Sequence, residues 1–235
     1  MATFAISDLH LAYGIDKPMD IFGDRWSNYM ERLKLNWEEK VGSSDYVIIP
    51  GDISWATYLD QAVKDFEFID ALPGKKIISK GNHDYWWTTM SKLEKFLEEH
   101  SFKTISFMHN NSFNIEEFKV CGTRGWKCPG DDDFSLEDRK IYERELQRLE
   151  LSLKSAAASG ENSNIIVAMH YPPFNSAGEP SEFVEIMGKY GVKKCLYGHL
   201  HGMGFKSAIT GNVAGIGFYL ISADYLNFTP LDVVP

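Results

Sequence analysis

Five short apolar runs in this 235-residue chain each end against side chains able to hold a metal ion or move a proton. Asp8-Leu9-His10 follows the run 3–7, Gly51-Asp52 follows 46–50, and Gly81-Asn82-His83-Asp84 follows 75–80. His170 follows 164–169, and Gly198-His199-Leu200-His201 follows 193–197. These ends collect the carboxylates Asp8 and Asp52, the carboxamide Asn82 and five of the seven histidines; only His100 and His109 lie elsewhere. Asp-x-His or Gly-Asp alone carries no information. Gly-Asn-His-Asp arises by chance in roughly two chains per thousand and Gly-His-x-His in roughly two per hundred, so the pair, in order and after strands, is specific. Donors of this kind suit two cations roughly 3.5–4 Å apart, with one carboxylate bridging and a hydroxide shared. Such a centre meets the needs of phosphoester hydrolysis: a nucleophile at neutral pH, positive charge against the phosphoryl oxygens, and a proton for the leaving oxygen.

The elements that must position these groups are strands and helices in alternation, the pattern of an α/β protein. The five runs are near-continuously apolar at their centres, as for strands buried on both faces, and residues just past the carboxyl ends of such strands line a shared crevice. Amphipathic stripes lie between them: Trp26, Met30, Leu33, Trp37 and Val41; Leu59, Val63, Phe66 and Ile69; Met90, Leu93, Phe96 and Leu97. The stretch 135–158 reads as a charged helix with a stripe of Ile141, Leu146, Leu149 and Leu153, opened by a weak capping box of Ser135 and Asp138 and ended by turn residues at 160–164. A fifth helix runs from Pro180 to Gly191. The segments 103–107, 113–115, 118–123 and 217–222 read as strands of a second sheet. No repeat or long linker divides the chain, so 1–235 is expected to be a single domain.

Composition narrows the field. The chain has 44% hydrophobic and 24% charged residues, which excludes disorder and supports a buried core. With 24 Lys+Arg against 33 Asp+Glu the net charge is −9, so long nucleic acid is not an expected partner. Three cysteines without a C-x-x-C pair make neither a disulfide framework nor a zinc ribbon. With no leader pattern and no apolar stretch of membrane-spanning length, a cytoplasmic location is expected.

Together, Asp8-x-His10, Gly51-Asp52, Gly81-Asn82-His83-Asp84, His170 and Gly198-His199-x-His201 resemble the signature of the calcineurin-like metallophosphoesterase superfamily, with all five blocks in order between residues 8 and 201. The resemblance implies a four-layer α/β/β/α sandwich of two mixed sheets and a centre of two divalent or trivalent ions, such as manganese, iron or zinc. It implies that Asp8, His10 and His201 hold one ion and Asn82, His170 and His199 the other, with Asp52 between them. It also implies that a metal-bridging hydroxide attacks phosphorus while His83 protonates the leaving group and Asp84 orients His83. On an extended chain His83 points away from its neighbour Asn82, which agrees with a role other than ligand. The implied activity is hydrolysis of small phosphomonoesters or phosphodiesters, nucleotide-type esters among them. The competing reading is a non-enzymatic scaffold on the same fold; the His-x-His-x-Asp-His run of a metallo-β-lactamase-like hydrolase is absent.

Several neighbours carry two readings each. Arg124, after a predicted strand, could contact phosphate or form an ion pair. Trp55 and Trp86 could line the substrate or belong to the core, as could Tyr85 and Trp87, and Tyr171 could contact the substrate while Tyr171-Pro172-Pro173 stiffens the loop that holds His170. Asp84 could cap a helix whose first turn lies near 86–88. The run Asp131-Asp132-Asp133 reads as a solvated turn.

Overall fold

A continuous apolar run such as Tyr46–Pro50 can be satisfied only where both faces of a strand are covered, and four of its five residues are buried. A computed structural model describes residues 1–17, 19, 21, 23–158 and 164–233. In chain order it begins with β1 (Thr3–Ala5), α1 (Tyr29–Lys40), β2 (Tyr46–Pro50), α2 (Val63–Ala71), β3 (Lys75–Ser79), α3 (Met90–Glu99) and β4 (Ile105–Phe107). Then come β5 (Ser112–Ile115), β6 (Phe118–Thr123), α4 (Leu136–Ala158), β7 (Asn164–Met169), α5 (Glu182–Lys189), β8 (Lys194–Tyr197), β9 (Gly211–Val213), β10 (Ile216–Leu220) and β11 (Leu231–Asp232).

The chain forms two compact units. The first comprises 1–107 together with 221–235, the second 108–220. In the first, β11-β1-β2-β3-β4 form one sheet; β1 to β4 run parallel and β11 is antiparallel to β1. Leu33 and Trp37 of α1, Phe66 and Ile69 of α2, and Leu93 and Phe96 of α3 join Val47, Ile49 and Ile78 in its core. In the second unit the order is β5-β6-β7-β8-β10-β9, parallel from β6 to β10 with antiparallel strands at both edges. Leu149 and Leu153 of α4 and Phe183 and Met187 of α5 pack with Val167, Cys195 and Phe218 in a separate core. The α/β class with two mixed sheets is as expected.

Three expectations need correction. The segment 103–107 was assigned to the second sheet, but β4 pairs with β3 in the first, because it is the next parallel step after the α3 crossover. The five motif-bearing strands are shared between the sheets, three in the first and two in the second. The buried stripe of α4 is Tyr142, Glu145, Leu149, Ser152, Leu153 and Ala156, turned from the expected one because a carboxylate and a serine occupy it. The short strands β9 and β11 gave no apolar run to read. The turn expected at 160–164 lies, apart from Asn164, outside the described residues.

Candidate metal centre

In the first unit, parallel register sets Ile48 beside Ala5 and Ser79 beside Pro50, so the three chains leave their strands as neighbours. Beyond β1 the segment 8–11 continues alongside 51–54: Asp8 N–H donates to Gly51 O at 3.0 Å, His10 N–H to Asp52 O at 3.0 Å, and Leu11 N–H to Ile53 O at 2.9 Å. This pairing fixes Asp8, His10 and Asp52, which are 0, 3 and 1% exposed. His10 Nε2 lies 3.8 Å from Asp52 Oδ2. The Ser7 hydroxyl donates to Asp8 Oδ2, and the Tyr29 hydroxyl donates to His10 O at 2.6 Å.

The backbone around these groups is strained. Asp8, His10 and Asp52 have φ of 58°, 47° and 51°, left-handed values that cost a non-glycine residue about 1–2 kcal/mol each. Gly51, at φ 96°, makes the turn out of β2. A Cβ on Gly81 would sit 2.1 Å from Asp52 Oδ1, so only glycine lets the loop 81–84 approach this carboxylate.

Asp52 Oδ1 accepts the His83 N–H at 2.8 Å, which ties the backbone of the expected acid to the carboxylate. The His83 ring lies 4.5 Å from Trp55 and 5.8 Å from His10, centroid to centroid. Asn82 sits half-buried in the same loop. Asp84, fully buried, accepts N–H groups from Gly81 (2.7 Å), Asp52 (2.9 Å), Ile53 (2.9 Å) and Ser54 (3.4 Å), and the Trp86 indole N–H at 3.1 Å. Burial pushes its carboxyl up to about 6, against the pull of the four amides. Both oxygens are therefore engaged by the two loops, and Asp84 positions their backbones instead of binding the His83 ring. It also caps no helix, since α3 begins at Met90, past the expected first turn.

In the second unit, register places Met169 beside both Thr123 and Tyr197, so Arg124, His170 and Gly198 follow side by side. Arg124 O accepts N–H groups from His170 (3.1 Å) and Tyr171 (2.9 Å), and His170 O accepts Gly198 N–H at 3.1 Å. His170 is fully buried, and its Nε2 lies 3.3 Å from His199 Nδ1. His199 holds a left-handed φ of 70°, and the Tyr171 ring lies 4.0 Å from its ring. His201 is half-buried, and its carbonyl accepts Gly204 N–H at the start of a 3-10 turn.

The expected substrate contacts separate. Trp86, 2% exposed, belongs to the core and holds Asp84. Trp55 stacks on His10 at 4.8 Å and 19° and carries Lys17 Nζ 3.6 Å from its ring centre. Arg124 takes the ion-pair reading: its Nη2 donates to the fully buried Glu145 at 3.2 Å, and its guanidinium lies over Trp126. Burial pulls its pKa down and Glu145 opposes this. Glu145 also accepts Thr123 Oγ1 (2.6 Å) and Arg148 Nη1 (2.7 Å). Tyr171 is buried beside His199. Sequence reasoning missed Tyr29 and Glu145. Glu145 was legible as a carboxylate four residues before Leu149 on a buried face, whereas the Tyr29 hydroxyl bond had no sequence signal.

Buried carboxylates beside imidazoles at the ends of parallel strands make a donor set able to hold metal ions in an α/β protein. Residues 1–203 match the family described as calcineurin-like phosphoesterase, and the chain belongs to it. Members of the family are metal-dependent, and the oxygen and nitrogen donors of both units fit such ions. No curated protein matches the chain. Among solved structures it is similar to a protein of unknown function, AQ665, from Aquifex aeolicus (16% identity, 98% of this chain and 94% of that one, TM-score 0.51). It is also similar to the phosphopantetheinyl hydrolase PptH from Mycobacterium tuberculosis (12% identity, 100% and 96% coverage, TM-score 0.60). At these identities the likeness shows the fold. Among the described residues no helix is long and apolar enough to cross a membrane.

Proposed function

We propose that the chain is a binuclear metal-dependent phosphoesterase acting on small phosphomonoesters or phosphodiesters, with residues 1–235 as a single catalytic domain. Asp8, His10, Asp52, Asn82, His170, His199 and His201 hold the two ions. The observation that carries this reading is the buried knot of Asp8, His10 and Asp52, kept in costly left-handed backbone and tied to His83. Buried carboxylates without cations are expensive, and such strain persists where function needs it. The family membership and the hydrolase among the structural neighbours support the same class. The three buried thiols fit a reducing, cytoplasmic setting.

Two ions in this set would neutralise charge on the phosphoryl oxygens and make a nucleophile available from water at neutral pH. The chain's own residues do the rest. Asp52 fixes the His83 backbone through Oδ1, so the imidazole is carried on the same unit as Asp8, His10 and Asp52. Asp84 clamps the loops bearing Asp52 and Asn82. His83 gives its ring proton to the leaving oxygen.

Hydrolysis of 4-nitrophenyl phosphate and its bis-ester by the manganese-loaded protein tests the reading, with metal content measured by elemental analysis. Turnover of either ester, with about two ions per chain, is expected. Both esters inert in metal-loaded protein would sink the enzyme reading in favour of a scaffold.

A further inference from the structure

Next to His199 the second unit contains a cavity of about 320 Å³, within the size range of small-molecule sites. Tyr171, Pro172, Phe174, Leu200 and Ile209 supply its apolar wall, with Lys127 at its edge. Asp131, Asn175, Ser207 and Lys127 in the wall are engaged by the protein itself. Asp131 accepts Cys128 N–H (2.8 Å) and Ser176 N–H (2.6 Å), one on each oxygen. The Asn175 carboxamide accepts N–H groups from Ala177 (3.1 Å) and Glu179 (2.9 Å) and donates to Glu179 Oε2 (2.8 Å). The Ser207 hydroxyl donates to Gly204 O (2.8 Å), and Lys127 pairs with Asp133. Besides the His199 imidazole and the Ser176 hydroxyl, what remains to greet a guest is apolar and aromatic surface.

We propose that this cavity receives the uncharged, ring-sized apolar alcohol portion of the phosphoester, with the phosphoryl group at the His199 end. The inference rests on the phosphoesterase reading and deepens it by naming the substrate class. Three features select this occupant over a second polar or charged group. The wall's one carboxylate, Asp131, is already held by a backbone N–H on each oxygen, and the one cation, Lys127, already has its counter-ion. The volume corresponds to roughly ten water molecules, enough for a bicyclic ring. Tyr171 joins the cavity to the proposed ligand, since its ring lies against His199 and also lines the apolar wall. A guest in the cavity would therefore hold its ester bond near that imidazole, and the wall would set specificity by apolar contact.

The test compares phenyl phosphate with 2-naphthyl phosphate, esters of similar leaving-group chemistry and different apolar size, using the manganese-loaded full chain. In the unaltered protein kcat/KM is expected to favour the naphthyl ester by about ten-fold. Ile209→Trp fills the cavity, and Ser207→Trp does so from an exposed position that tolerates bulk. Each is expected to bring the ratio of the two esters near unity. Equal kcat/KM for the two esters in the unaltered protein, or a ratio retained by both variants, would overturn the cavity assignment while leaving the phosphoesterase reading intact. If neither monoester is cleaved, only the diesterase reading survives, and the phosphoesterase reading fails if the 4-nitrophenyl bis-ester is inert as well. Fluorescence titration of 2-naphthyl phosphate against the same metal-loaded protein then decides the cavity. Saturable binding lost in both tryptophan variants supports it, and binding unchanged or absent refutes it.

Discussion

Asp52 has two jobs that can be separated at one atom each. Its Oδ1 accepts the His83 N–H, a role that the carbonyl of asparagine could keep, while its charge serves the proposed ions. Asp52→Asn is therefore expected to fold and to retain less than one ion per chain by elemental analysis, where the unaltered chain retains two. Full metal occupancy in this variant would remove Asp52 from the ligand set. His83→Gln should lower kcat by about 10²–10⁴-fold for alkyl esters and much less for 4-nitrophenyl esters, whose leaving oxygen needs little proton help. An equal loss for both would show that His83 is no acid. Asp84 belongs to stability. Replacing it by asparagine turns an amide N–H2 toward backbone N–H groups, and a cost of about 2–4 kcal/mol is expected in urea unfolding. At this scale the sequence was most informative about identity and least about contact. The motif spacing singled out His83 and Asp84 together, yet Asp84's partners are amides of another loop, 30 to 32 residues away in the chain for Asp52, Ile53 and Ser54. Only the register of β2 against β3 brings them together.

Elements show the same division. The strands β2, β6 and β7 end where their apolar runs end, since burial on both faces leaves little freedom of boundary. Helix α4 opens on the expected capping box. Ser135 Oγ accepts Asp138 N–H (3.1 Å), while Asp138 Oδ2 accepts the Ser135 hydroxyl (2.6 Å) and Ser135 N–H (2.9 Å), and these two bonds to the carboxylate, the hydroxyl foremost, hold it down to about 2. Its face was misread because periodicity finds apolar residues, and the buried Glu145 and Ser152 are polar residues satisfied by partners on β6 and on the chain around it. Buried Lys76 on β3 is a similar case. Its Nζ donates to Leu72 O (2.6 Å) and Gly74 O (2.9 Å) beyond the end of α2, and burial lowers its pKa from 10.5 to about 8. Between those values the unfolded chain binds more protons than the folded one, so this lysine makes stability rise with pH. Lys76→Met should lose that rise, and its urea midpoint relative to the unaltered chain should fall as pH goes from 8 to 10.5. A constant difference across that window would mean that Lys76 titrates normally.

At the scale of the whole molecule, the α/β class and two sheets were legible in the alternation of apolar runs and amphipathic stripes. The division into two units was not, because no change of composition marks residues 107 or 220. What closes the first unit is chain that arrives last. Phe228, fully buried at φ 60°, packs on Trp26 and Tyr29 at 5.2 and 5.6 Å, and Asn36 donates to the carbonyls of residues 227 and 228. Phe228→Ala is expected to cost about 3–5 kcal/mol, read in urea unfolding of the first unit's tryptophans.

Because β11 follows the whole second unit in the chain, the first unit cannot add this edge strand until synthesis has passed residue 232, by which time every strand of the second unit has been made. The unit made first is thus completed last. Its early portion waits through more than a hundred residues of translation with the β1 edge open.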